Sequence, residues 1–163
     1  MPIVLLRVDE RLIHGQVVVG WGATLHPDRI AVVDDELVHS PWEQELYTLG
    51  LPEEVQAEFH GVAEARNLLP TWRSSPERTV VLARTIDAVQ RLAADGALQG
   101  EEVNIGGLHH APGRRQVLPY VFLSDDERRV LQQLADAGLE VSARDVPGAR
   151  RINLAHLLGD DAA

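Results

Sequence analysis

Short apolar runs rich in β-branched residues alternate with helix-like segments along nearly the whole chain, and this alternation leaves few architectures open. Residues 3–6, 30–33, 55–59, 79–83, 103–105, 117–123 and 139–146 read as strands. Residues 17–25, 40–49, 62–72, the stretch from Thr85-Ile86-Asp87 to about residue 94, 124–137 and 153–158 read as helices. Several boundaries carry their own chemistry. Ser40-Pro41 supplies a cap and a first-turn proline, Gly50 and Pro52 close that helix, and Ser124 with Glu127 forms a capping box. Pro119 marks an edge or a bend inside the run 117–123. Strands alternating with helices predict an α/β fold: one open, mainly parallel, doubly wound sheet with helices on both faces. No repeat or linker interrupts the 163 residues, so residues 1–163 are expected to form one domain.

In such a sheet the loops that do chemistry gather at the carboxyl ends of the strands. Four polar turns qualify: Asp9–His14, Asp34–Glu36, Arg84–Asp87 and Gly106–Gly113. The first is the densest. Arg7-Val8-Asp9-Glu10-Arg11-Leu12-Ile13-His14-Gly15-Gln16-Val17 sets two arginines, two acids and a histidine between a strand and an apolar helix.

Composition excludes several chemistries at this turn. The chain has no cysteine, so thiolate catalysis, disulfides and Cys-ligated metal are ruled out, and all 15 basic residues are arginine. A formal charge of -10 argues against nucleic acid or an anionic membrane as partner. No signal-like start or membrane-length apolar run is present, which predicts a cytoplasmic protein. No Walker, dinucleotide or Ser-His-Asp pattern occurs, and the Gly106-Gly107 pair lacks the rest of a phosphate loop, so no cofactor is expected. His109 and His110 with His14 would be the only route to a metal hydrolase. Adjacent histidines in a strand point to opposite faces, which disfavours chelation.

His14 is suited to accept a phosphoryl group, because a neutral imidazole is nucleophilic without extreme activation. The product needs donors. Arg11, three residues earlier, offers a guanidinium, Gly15 and Gln16 offer backbone N–H groups at a helix start, and Asp9 would orient an arginine or the imidazole. A histidine before glycine also serves as a plain cap or turn residue, and Asp9 with Arg11 as a structural ion pair. Residue types alone leave both readings open.

The stretch 7–17 resembles the active-site signature of the IIB component of the mannose/fructose/sorbose class of sugar phosphotransferase systems (PTS). The resemblance continues in order through Trp21, Arg29-Ile30, Val32–Asp35, Asn104–His109, Gly113–Val117, Gly138–Val141 and Pro147. It implies an open α/β sheet and a phosphocarrier. His14 would take phosphate from the phosphohistidine of a IIA protein or domain and pass it to a sugar carried by the membrane IIC/IID complex, which selects that sugar. It makes Arg11 the phosphate-binding partner, places Arg7 and Asp9 in the same signature, and aligns Arg29 and Arg144 with positions where the family has arginines. Asp34 lies at the second strand end, and His109 is expected to line the pocket. The chain would work beside the membrane permease. A phosphorylatable regulatory module of the same fold is the alternative.

One segment departs from the family pattern. Leu37-Val38-His39-Ser40 stands where the family has a small residue followed by Asn and Asp, and Ser40 is expected to keep the helix-cap role. Trp21 is expected in the core, and Arg114-Arg115 on a solvated face. A homo-oligomer is compatible with the sequence, though no residue pattern demands one.

Overall fold

The computed structural model describes residues 2–159. Its strands are β1 (Ile3–Asp9), β2 (Arg29–Val33), β3 (Gln56–His60), β4 (Thr79–Ala83), β5 (Glu102–Gly107), β6 (Arg115–Leu118), β7 (Val121–Leu123), β8 (Glu140–Ala143) and β9 (Ile152–Asn153). Its α-helices are α1 (Gly22–Leu25), α2 (Pro41–Leu49), α3 (Val62–Ser74), α4 (Ile86–Leu92), α5 (Asp125–Asp136) and α6 (Leu154–Leu157), and a π-helix (Gln16–Trp21) runs directly into α1. The main sheet has the order β3-β2-β4-β1-β5-β8-β9 and is parallel except for the antiparallel edge strand β9. The predicted fold class is the observed one.

Side-chain alternation divides the core in two. Leu6, Val8, Ala31, Val33, Val81, Ala83, Val103 and Ile105 pack with apolar residues of α3, α4, α5 and α6. Leu5, Ile30, Val32, Val80 and Leu82 pack with Val17 and Trp21 of the π-helix and with Leu37 and Tyr47. Each fully buried Leu or Val contributes about 1.5–3 kcal/mol. β1 lies between β4 and β5, so its carboxyl end opens at the middle of the sheet. The chain leaves β1 towards β2 and β3, returns to β4, and then crosses to β5 and β8. Crossovers therefore diverge around β1, the arrangement that leaves a crevice at strand ends.

Several elements differ from expectation. β1 continues to Asp9, so Arg7 and Asp9 belong to the strand, where β4 pairs with Arg7 and β5 with both residues. The run 117–123 is a hairpin, with β6 and β7 antiparallel in a separate two-stranded sheet. Pro119 falls in its turn, where a missing N–H costs no ladder bond. The strand expected over 139–146 stops at Ala143, and the chain beyond bends over the face that carries Arg7. Ser40 occupies the N-cap position of α2 but makes no side-chain cap bond, so Pro41 alone supplies the start signal. The capping box of α5 is present: Glu127 N–H donates to Ser124 Oγ at 3.0 Å and Ser124 N–H to Glu127 Oε1 at 2.9 Å.

Candidate active site

Leu5, Arg7 and Asp9 share one face of β1, so the strand turns from apolar to ionic towards its carboxyl end. Arg7 is fully buried. Its Nη1 donates to Asn104 Oδ1 at 2.7 Å and to the Arg144 carbonyl at 2.9 Å. Its Nη2 donates to Asp9 Oδ2 at 3.0 Å and to the Asp145 carbonyl at 2.9 Å. Trp21 closes the chamber, its ring centroid 5.6 Å from Arg7 Cζ and its Nε1 donating to the Asp145 carbonyl at 3.0 Å. Desolvation pulls the Arg7 guanidinium below its ordinary pKa, with Asp9 opposing that shift. Both Nη groups are spent on acceptors inside the protein and Nε is buried without a partner, so none of the guanidinium faces solvent and Arg7 is a support.

Gly106 provides the room for it. A Cβ there would overlap the Arg7 guanidinium, and one at Gly107 would come within 3.0 Å of Arg11 Nη2 and Asp9 Oδ1. The glycine pair is thus the wall against which the ionic cluster packs, a purpose the sequence reading missed. Side-chain alternation with Arg7 paired opposite Asn104 is the signal that would have found it.

Asp9 is also fully buried and accepts five hydrogen bonds. Arg7 Nη2 and Arg11 Nη2 reach Oδ2 at 3.0 and 3.1 Å, and the Arg11 backbone N–H and Nε reach Oδ1 at 3.0 and 3.1 Å. His14 Nε2 completes the set, 3.0 Å from Oδ2. Burial pushes the Asp9 carboxyl up, but hydrogen bonds from His14 and Arg11 and the Arg7 charge outweigh it and hold the group far below the usual carboxylate range. An ionised carboxylate only accepts. His14 Nε2 therefore carries a proton, which in the neutral tautomer puts the lone pair on Nδ1.

The loop that carries His14 is pinned by its apolar residues. Leu12 and Ile13 are buried in the core layer of the π-helix. Leu12 holds φ 56°, a left-handed conformation that costs about 1–2 kcal/mol for a residue with a branched side chain, and its N–H closes a turn on the Asp9 carbonyl at 3.0 Å. The His14 carbonyl accepts from the N–H groups of both Val17 and Val18, at 3.0 and 2.9 Å, where the π-helix begins. Gly15 and Gln16 precede the first turn's bonds, so their N–H groups have no intrahelical acceptor. Arg11 is about one-third exposed, and its Nη2 also donates to Gln16 Oε1 at 2.9 Å. One guanidinium thus bridges Asp9 and the helix start.

The other sequence-predicted residues disperse. Asp34 lies at the carboxyl end of β2. There Oδ2 accepts from Leu37 N–H at 2.9 Å and Oδ1 lies 3.5 Å from Nε of Arg84, a half-exposed arginine at the end of β4. Arg144 stands beside Trp21, its Cζ 5.9 Å from the ring centroid and its Nη1 donating to the Pro147 carbonyl at 3.1 Å. Arg29 has to be corrected. It begins β2, at the amino edge of the sheet, and pairs with Glu58 and Glu77 at 2.8 and 3.3 Å. A residue at that end cannot join groups gathered at the carboxyl ends.

His109 meets the same loop at another residue: its Nδ1 lies 3.2 Å from Glu10 and its side chain is mostly exposed. Arg114, expected on a solvated face, is largely buried between Glu10 and the paired oxygens of Glu127, tying the first loop to α5. His110 packs edge-on to Phe122 with centroids 5.8 Å apart. The three histidines of the metal reading are not brought together. Among the described residues no group of three or more His, Asp or Glu side chains is placed to hold a metal ion.

Fold and site together define an α/β protein that presents an oriented histidine, with a guanidinium and a helix start beside it, at the carboxyl end of its central strand. The family model described as "PTS system sorbose subfamily IIB component" matches residues 3–163, and the chain belongs to that family. It is 29% identical over 153 residues to the N-acetylgalactosamine-specific phosphotransferase enzyme IIB component 1 of Escherichia coli strain K12, covering 91% of this chain and 94% of that protein. It is 30% identical over 158 residues to the PTS system mannose-specific EIIAB component of the same strain, and that match takes in 97% of this chain and 49% of the longer relative. The crystal structure of manxB from Thermoanaerobacter tengcongensis superposes with a TM-score of 0.85 at 32% identity, covering 99% of this chain and 97% of that one. The protein is a phosphocarrier component of a sugar phosphotransferase system. Among the described residues no helix is long and apolar enough to cross a membrane.

Proposed function

We propose that His14 Nδ1 takes a phosphoryl group from the phosphohistidine of a IIA protein or domain and passes it to a sugar held by a membrane IIC/IID permease. The observation that carries this reading is the His14 Nε2–Asp9 bond at 3.0 Å, which leaves Nδ1 as the nucleophile. In the first step the Nδ1–P bond forms as the donor's N–P bond breaks, and the donor imidazole keeps that electron pair. The ring gains positive charge, which the Asp9 carboxylate stabilises through Nε2–H. Arg11 and the N–H groups of Gly15 and Gln16 receive the phosphoryl oxygens at the helix start. In the second step a sugar hydroxyl oxygen attacks phosphorus, the Nδ1–P bond breaks with its electron pair returning to the His14 imidazole, and the hydroxyl proton passes to solvent water.

Arg144 and Arg84 stand at the same end of the sheet as further cations, while Arg7 and Asp34 support the frame. The reaction class is that of a protein-Nπ-phosphohistidine–sugar phosphotransferase. It places the chain in the cytoplasm, held at the membrane by its permease. Incubation with a phosphorylated IIA partner should give acid-labile label on His14. Label that persists in His14→Ala would overturn the assignment.

A further inference from the structure

The large apolar side chains most open to solvent among the described residues are Val19, Trp42, Leu46 and Leu49, which are 60–76% exposed. All four lie on the two helical segments that cover the Leu5 side of the sheet, the π-helix and α2. Trp42, Leu46 and Leu49 follow i, i+4, i+7 spacing and form one stripe along α2. Beside Val19 runs a groove of about 460 Å³ whose walls include Val17, Val18, Ala23, Ile30, Leu51 and Val55. Exposed apolar side chains gathered on one side of a domain mark an interaction surface, and the groove wall takes up the chain at Leu51, two residues after α2 ends.

The charge around the strip selects its occupant. Asp28 and Glu54 line the groove, Glu53 is next in sequence and Glu43 and Glu45 lie on α2, against one arginine at the edge, Arg78, which donates to Asp28 and to the Leu25 carbonyl. A second copy of this chain would oppose these acids to their own duplicates, and an anionic bilayer would repel them. The matching surface is apolar and rimmed by Lys and Arg. Cytoplasmic loops of integral membrane proteins carry that excess of basic residues.

The strip is also continuous with the site, because the π-helix that lines the groove starts two residues after His14. A carrier that meets two partners at one histidine needs an anchorage that leaves the loop clear. A flank beside the loop provides one.

We propose that the face formed by the π-helix and α2 docks the cytoplasmic loops of the IIC/IID permease, through the Trp42–Leu46–Leu49 stripe and its acidic rim. This rests on the functional reading above. The test uses inside-out vesicles carrying a IIC/IID permease of this family, and empty vesicles of the same lipids. The proteins compared are the wild type, the double variant Leu46→Glu/Leu49→Glu, and Glu45→Arg/Glu53→Arg.

All substituted side chains are on the surface, and thermal unfolding checks that each variant folds. Both variants should bind permease vesicles at least tenfold more weakly than wild type, while transfer from phosphorylated IIA to His14 stays within twofold. Unchanged vesicle binding by the Leu variant would overturn the proposal, as would equal binding of wild type to empty vesicles. A parallel fall in donor transfer would assign the face to the donor instead, and a wild-type dimer that the Leu variant dissociates would assign it to a second copy. If wild-type His14 takes no label, the functional reading fails on its own, and the vesicle comparison still decides this one.

Discussion

Replacing Gly106 by Ala should unfold the ionic chamber without touching any residue of the reacting loop. The added Cβ would overlap Cζ, Nη2 and Nε of Arg7, and β5 is held by ladders on both sides, so Arg7 must move. Moving it breaks four hydrogen bonds, one of the five to Asp9 among them, and leaves the guanidinium buried without acceptors; disrupting a buried ion pair of this kind costs about 3–5 kcal/mol. That is a large share of the roughly 5–15 kcal/mol that holds a domain folded. Urea unfolding measures it directly, with Gly15→Ala as control, because a Cβ at Gly15 meets nothing within 4 Å. The decisive comparison is a double-mutant cycle. In an Arg7→Ala background the clash is gone, so Gly106→Ala should then cost about 1 kcal/mol or less. A loss below about 1 kcal/mol in the single variant, or additive losses in the cycle, would refute the role given to this glycine.

Arg11→Ala should slow phosphorylation of His14 by about 10²–10³-fold, the loss expected for one preorganised donor to a transferring group, while unfolding free energy changes far less because this guanidinium is partly exposed. Single-turnover transfer from phosphorylated IIA reads the first effect and urea unfolding the second. For Asp9 the folded carboxyl is depressed, so its stabilisation is fully present above the unfolded value of about 4 and is lost as pH falls below it towards the folded value. Asp9→Asn should therefore be destabilised near neutral pH and lose much of the acid limb that wild type shows between about pH 4 and pH 2. Unfolding curves across that range that coincide for the two proteins would contradict it.

Much of the fold could be read from the chain because local signals and global topology agree. The run 79–83 is apolar on both faces, as a central parallel strand requires, and the capping box at Ser124 and Glu127 starts α5 where expected. The hairpin β6–β7 was hidden because its strands are four and three residues long and the turn is a Pro-Tyr pair inside an apolar run. Within the site, the spacing of Arg11, His14 and Gly15 pointed to a helix start with a guanidinium beside it. It could not show that Asp9 gathers two arginines and the histidine, since three of its partners arrive through side-chain direction rather than sequence distance. Arg29 was expected because it falls where the family has an arginine, and such a match does not say which end of the sheet the residue occupies. Arg114 misled because an arginine doublet resembles a solvated face until Glu10 and Glu127 are brought to it from 104 residues before and 13 residues after.

The most direct test of the account is to locate the phosphorus on the imidazole. Protein with ¹⁵N-labelled histidine, phosphorylated by its IIA donor, should show the ³¹P–¹⁵N bond at Nδ1 of His14, with Nε2 still protonated against Asp9. A bond at Nε2, or at another residue, would contradict the role assigned to the Asp9–His14 pair.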